Sequence, residues 1–149
     1  MDAQAFWTER RTLQLSSSSL VFTSQVLNST SSAQTITLSN AGSTKIAINS
    51  IAITGNFAQT NTCGSALAAH ASCTLSVTFT PTMIGSATGS LTVTDNASGS
   101  PQKVTLSGNG VSAPAPTVNL SATSLAFGNQ ALSTTSAAQT ITQIGRAHV

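Results

Sequence analysis

Thr74-Leu75-Ser76-Val77-Thr78-Phe79 alternates hydroxyl-bearing and apolar side chains at every step. Successive side chains of a strand point to opposite faces, so Leu75, Val77 and Phe79 share one face and Thr74, Ser76 and Thr78 the other. The same alternation recurs at Thr35-Ile36-Thr37-Leu38, Ser90-Leu91-Thr92-Val93-Thr94 and Val104-Thr105-Leu106. Ile46-Ala47-Ile48 follows it too, but Ile51-Ala52-Ile53 resumes out of phase, and a bulge or bend near Asn49-Ser50 is needed to return both pairs to the core. Weaker strands are read at Leu13 to Leu15 and Leu20 to Phe22. Turn chemistry separates these runs: Asn40-Ala41-Gly42-Ser43, Gly55-Asn56, Pro81 with Gly85, Asp95-Asn96-Ala97-Ser98-Gly99-Ser100-Pro101 and Gly108-Asn109-Gly110. The only helical pattern is the short, Ala-rich Ser65-Ala66-Leu67-Ala68-Ala69, read as a single turn. About seven strands joined by short turns, without crossover helices, predict an all-β, seven-stranded immunoglobulin-like sandwich.

The chain repeats itself. Thr12 to Thr37 aligned without gaps on Thr117 to Thr142, an offset of 105, matches at 15 of 26 positions. Ser and Thr are common throughout, but the shared Leu15/Leu120, Leu20/Leu125, Phe22/Phe127, Leu27/Leu132 and Ile36/Ile141 are apolar and in register, which marks duplication. That period is too long for solenoid units of ~20–50 residues and suits an array of sandwich domains. The organisation read from the sequence is a tail at 1–11, a complete repeat at 12–110, a Pro/Ala linker at 111–116 and the first strands of a second, truncated copy at 117–142. Two or three strands cannot enclose a core, so 117–142 is expected to be extended, loosely packed or docked on an exposed edge. Residues 143–149 break the repeat, and Ile-Gly-Arg-Ala-His-Val resembles the translation of a short-read sequencing adapter; this tail is expected to be non-biological, and Arg146 and His148 receive no functional reading.

Composition narrows the function. Apolar residues make up 40% of the 149, enough for a core, while 5% are charged, against about 25% in an ordinary domain. The net charge of +2 arises from basic residues scattered at Arg10, Arg11, Lys45, Lys103 and Arg146, which gives no basic patch and excludes nucleic acid as a partner. No apolar run approaches the ~18 residues of a membrane helix. The start of the chain carries acidic residues and no continuous apolar stretch, so it does not read as a secretory signal; an exported parent would carry its signal upstream.

Residues that might have carried chemistry have bland readings. Cys63 and Cys73 flank a short loop, without the spacing or companions of a metal site. Three readings stand for them: a structural disulfide, favoured in an oxidising compartment, a redox-active pair, or two free buried thiols. His70 in the same loop has no catalytic company and reads as an exposed loop residue. Asp95 is the one carboxylate inside the complete repeat, so paired-carboxylate hydrolysis lacks its second partner, and Asp95-Asn96 reads as turn chemistry. No Gly-x-Ser-x-Gly elbow is present. Trp7 reads as tail, and the sequons at Asn28, Asn96 and Asn119 carry no weight in a chain so rich in Asn, Ser and Thr. No catalytic, metal or cofactor site is assigned.

The residues resemble the ASH-type (abnormal spindle and hydin) immunoglobulin-like domains, in the bacterial tandem-repeat form labelled choice-of-anchor D. The resemblance is carried by Leu20-Val21-Phe22, Gln34 to Gly42, Ile51 to Phe57, Cys63 and Cys73, Val77-Thr78-Phe79-Thr80-Pro81, Gly89 to Thr94 and Val104 to Gly110. It covers about residues 12–110 and again 117–142. It implies a seven-stranded sandwich related to major sperm protein and pilus-chaperone folds, used as a spacer or interaction module, with no catalytic residues to carry over. Eukaryotic relatives work at cilia and centrosomes, whereas the paired cysteines and Ser/Thr-rich strands match the bacterial exported kind. Many relatives have Gly in the loop between the cysteines, and His70 speaks against a tight turn there. The expected function is a non-catalytic spacer or adhesive repeat of a larger extracellular, cell-surface or periplasmic protein. Its expected partners are neighbouring repeats of the same chain and proteins or glycans at the cell surface. The alternative is an accessory carbohydrate- or protein-binding module of a secreted enzyme, disfavoured by the absence of Tyr and the single Trp.

Overall fold

A computed structural model of the chain describes residues 12–145; Trp7, Arg10, Arg11, Arg146 and His148 lie outside them. Two compact units are present, Met1–Ala113 and Pro114–Val149. The first is built from β1 (Leu13–Leu15), β2 (Ser19–Val26), β3 (Gln34–Asn40), β4 (Ile46–Ile53), β5 (Phe57–Asn61), β6 (Ala66–Leu67), β7 (Ser72–Phe79), β8 (Gly85–Asp95) and β9 (Gln102–Val111). The second contains β10 (Val118–Leu120) and β11 (Gln143–Gly145), paired antiparallel.

The strands of the first unit form two sheets, in the orders β1-β3-β7-β5 and β2-β9-β8-β4-β6. All pairs are antiparallel except β2 with β9. The all-β immunoglobulin-like sandwich is present, with two departures from the seven strands expected. Phe57–Asn61 forms β5, a strand not read from the sequence, paired with β7 from Phe57 opposite Phe79 to Asn61 opposite Leu75. The Ala-rich Ser65 to Ala69 segment forms β6 in place of a helical turn, because Ala66 and Leu67 pair with Ala47 and Ile46 and Leu67 is buried. Tertiary pairing overrides the weak helical preference of so short a segment.

Alternation places the core. Ile36 and Leu38 of β3, Leu75, Val77 and Phe79 of β7, Leu91 and Val93 of β8, and Val104 and Leu106 of β9 meet between the sheets, while their Ser and Thr neighbours face outward. The expected bulge in β4 appears as a register shift between Ile48 and Ser50. Ile46 and Ile48 are buried, whereas Ile51 and Ile53 pack against the core only half-buried.

Three phenylalanines, one each from β2, β5 and β7, occupy one end of the core. Ring centroids lie 5.6 Å apart for Phe22 and Phe57, 5.9 Å for Phe22 and Phe79, and 4.9 Å for Phe57 and Phe79. The strands beside them carry glycine where the rings need room: a Cβ on Gly108 would stand 2.6 Å from Phe79 Cε1, and one on Gly89 2.8 Å from Phe57 Cδ2 and 2.3 Å from the Thr54 carbonyl oxygen. Gly108→Ala is therefore expected to lower unfolding free energy by about 1–3 kcal/mol, the cost of overpacking a filled core. Gly128→Ala, where a Cβ meets nothing within 4 Å, is expected to leave the urea midpoint unchanged.

Candidate functional site

The residues singled out in the sequence gather at the end of the sandwich where β3 leaves its sheet and the Cys63–Cys73 loop returns to β7. Cys63 follows β5, Cys73 lies within β7, and their sulfurs are bonded, with Cα atoms 4.9 Å apart. Both cysteines are buried in the core. The bond closes a loop that holds β6, and the Ile48 amide donates to the Ser65 carbonyl at 2.9 Å, tying that loop to β4.

Asn40, the last residue of β3, organises this end. It continues the inward phase of Ile36 and Leu38 and is 1% exposed. Its Nδ2 donates to the Thr44 carbonyl at 2.8 Å, the Ala68 carbonyl at 2.9 Å and the Leu67 carbonyl at 3.2 Å, while its Oδ1 accepts from the Gly42 amide at 2.9 Å. One amide thus satisfies backbone groups of two loops that burial would otherwise strand. The sequence reading placed Asn40 in a turn. The signal it missed is phase: two residues beyond Leu38, this position points into the core.

His70 does occupy a tight turn, contrary to expectation. Its φ is 58°, the Ala71 amide donates to the Ala68 carbonyl at 3.2 Å, and the His70 amide donates to the Gly42 carbonyl at 3.3 Å. Histidine is among the non-glycine residues that tolerate the left-handed region, and its exposed ring meets no crowding there. Asp95 is 6% exposed at the end of β8 and makes the turn anticipated for it: its Oδ1 accepts from the Ala97 amide at 2.7 Å, and its own amide donates to Ser100 Oγ at 2.9 Å. Among the described residues no group of three or more His, Cys, Asp or Glu side chains is placed to hold a metal ion, and no helix is long and apolar enough to cross a membrane.

An open groove of about 360 Å³ lies beside the β4 bulge, lined by Ile48, Asn49, Ser50, Ile51, Gln59, Asn61, Gly64 and Ser65. Amides, hydroxyls and two isoleucines face it and no ionisable group does, so it offers neutral hydrogen bonding without acid–base chemistry. The sequence reading located the bulge but not the groove, because the opposite wall comes from β5 and the disulfide loop, which only the fold brings near.

A family model described as Cep192 domain 4 matches residues 11–111. No curated protein matches the chain significantly. Among solved structures, the ASH/PapD-like domain of human CEP192 (PapD-like domain 7) matches with a TM-score of 0.56 at 16% identity, over 70% of this chain and 89% of that one. A protein of unknown function from Porphyromonas gingivalis W83 matches with a TM-score of 0.58 at 12% identity, over 68% of this chain and 47% of that one. The VesB protease of Vibrio cholerae matches with a TM-score of 0.52 at 13% identity, over 65% of this chain and 31% of that one. These likenesses are of fold, and the chain spans less than half of the two bacterial proteins.

Two changes test the organisation of this end. Replacing Cys63 and Cys73 together by Ala is expected to lower unfolding free energy by about 2–3 kcal/mol, the chain-entropy contribution of so short a loop. Asn40→Ala, which leaves buried carbonyls without donors, is expected to cost about 2–4 kcal/mol. Urea denaturation of each variant against the parent chain reads both values.

Proposed function

The chain belongs to the Cep192 domain 4 family, and from that membership we propose that it is a non-catalytic repeat of a larger exported protein, serving as spacer or interaction module. The observation that carries the reading is duplication: the sequence that builds β1, β2 and β3 recurs 105 residues later, as in an array. Array units need only fold independently and present a tolerable surface. Here the described residues carry three charged side chains, Lys45, Lys103 and Asp95, and the outer faces of the strands are mostly Ser and Thr. Such a surface neither steers ions nor supplies acid–base groups. The Cys63–Cys73 bond supports residence in an oxidising compartment, as at the cell surface, in the extracellular medium or in the periplasm. The partners proposed are neighbouring repeats and surface proteins or glycans.

The likeness to VesB favours a second reading, an accessory module joined to a secreted enzyme. The groove beside the β4 bulge is then the place for a neutral ligand. A glycan array probed with the full chain separates the two. The first reading expects any glycan binding to be indifferent to the groove; saturable binding at micromolar concentration that is lost in Gln59→Ala with Asn61→Ala establishes the accessory module instead.

A further inference from the structure

β5 forms one edge of the four-stranded sheet, and its pairing with β7 fixes where its backbone groups point. In an antiparallel pair, residues that exchange hydrogen bonds with the partner strand alternate with residues whose amide and carbonyl point the other way. The Thr80 amide donates to the Asn56 carbonyl at 2.9 Å, and the Thr62 amide to the Thr74 carbonyl at 3.0 Å. With β5 in unbroken register between these two bonds, Ala58 and Thr60 bond to β7, while Phe57, Gln59 and Asn61 direct their amides and carbonyls outward. Phe79, opposite Phe57, fits the same phase, since its amide and carbonyl are turned away from β5 and bond to Ser31. Among the described residues no other backbone group bonds to the outward three.

Edge strands are commonly guarded by Lys, Pro or a bulge, and Phe57-Ala58-Gln59-Thr60-Asn61 has none of these. Its pattern fits a second copy of itself. An edge that meets its own copy around a two-fold axis must be self-complementary: the residue on the axis faces its equivalent, and a charge there would face its like. With the axis at Gln59, Phe57 lies opposite Asn61 of the second copy, Ala58 opposite Thr60, and Gln59 opposite Gln59. Each outward residue then faces an outward residue, so the backbone phase is correct along the whole strand. The axial side chain is suited as well. Asn61 Nδ2 donates to Gln59 Oε1 at 3.1 Å and its Oδ1 accepts from the Cys63 amide at 3.1 Å, which leaves Gln59 Nε2 as a donor for the other copy. A primary amide carries both donors and an acceptor, so two of them pair with one another.

We propose that β5 is a self-pairing edge, through which two copies of the repeat join antiparallel about a two-fold axis at Gln59. The two four-stranded sheets then continue into one another across the axis. Backbone groups of Phe57, Gln59 and Asn61 supply on the order of six hydrogen bonds, two for each facing pair. The proposal gives the interaction module described above one surface and one partner, a second copy, and rests on that reading. The contact is small, so pairing is weak between free chains and is strengthened where copies are held together in an array.

The test follows the full chain by sedimentation equilibrium and amide exchange from about 10 μM to about 1 mM, a range that brackets the affinity of a small contact. A monomer–dimer equilibrium is expected, with exchange at the Phe57, Gln59 and Asn61 amides slowing as concentration rises. Gln59→Lys and Gln59→Glu each place like charges opposite one another on the axis, and each is expected to weaken association by roughly tenfold. Their equimolar mixture is expected to restore it, because opposite charges then meet across the axis. Gln59→Pro removes an outward amide and no bond to β7, and is expected to weaken association while exchange in β7 stays as it was. The charged variants read the axis even where proline disturbs the strand. A chain that stays monomeric, association without slowing at Phe57, Gln59 and Asn61, or a mixture no tighter than either charged variant alone overturns the proposal. A monomer leaves the module reading standing, since that reading is tested by ligand binding at the groove.

Discussion

The ring of Phe79 against the bare backbone of Gly108 sets how closely the two sheets of the first unit approach. Phe79 is fully buried, and its backbone is fixed on both sides: its amide donates to Ser31 Oγ at 3.0 Å, and its carbonyl accepts from the Ser31 amide at 2.9 Å. The ring therefore cannot withdraw along its own strand, and the opposing strand must yield. It does so by carrying glycine, and Gly89 performs the same service for Phe57 one strand away. Glycine within strands costs roughly 0.5–1 kcal/mol each relative to alanine. That cost is offset here by rings that bury large apolar area and stack on one another.

At the opposite end the sandwich is held by polar links. The inward phase of β3 ends in Asn40, whose amide replaces a packing contact with bonds to the Thr44, Leu67 and Ala68 carbonyls, and the disulfide joins the two arms of the loop beside it. Aromatic packing fixes the separation of the sheets, while Asn40 and the disulfide fix the loops that close their end. The two devices suit their settings, because a loop exposes backbone groups that an apolar side chain cannot satisfy.

Much of this was legible in the sequence, since strand alternation is a local signal. Leu75, Val77 and Phe79 were assigned inward from their spacing alone, and the odd interval between Ile48 and Ile51 revealed the β4 bulge. What escaped was set by non-local contact. The Ala66–Leu67 strand exists because an edge of β4 was free to pair with it. The β5 strand is revealed only by its pairing with β7, and β2 lies parallel to β9, whose residues are more than eighty positions away. Asn40 was visible as a turn residue but not as a hub, since its acceptors at Leu67 and Ala68 come from the far side of the disulfide loop. The groove escaped for the same reason. His70 was misjudged differently: a left-handed turn was equated with glycine, although an exposed histidine can occupy it.

Repetition adds a further constraint. Tandem copies hold identical strands at high local concentration, which favours pairing between the wrong edges. Soluble β proteins commonly block their edges with charge, and this chain has little to use. Three of its four edges are blunted by geometry instead. In the four-stranded sheet one edge, β1, is three residues long; in the five-stranded sheet one edge, β6, is two, and the other, β2, shifts register between Val21 and Ser24. Beyond the reach of β6, the exposed flank of β4 begins at its bulge. Short or kinked edges offer an incoming strand few consecutive backbone partners, which leaves β5, five residues in unbroken register with β7, as the regular edge of the unit.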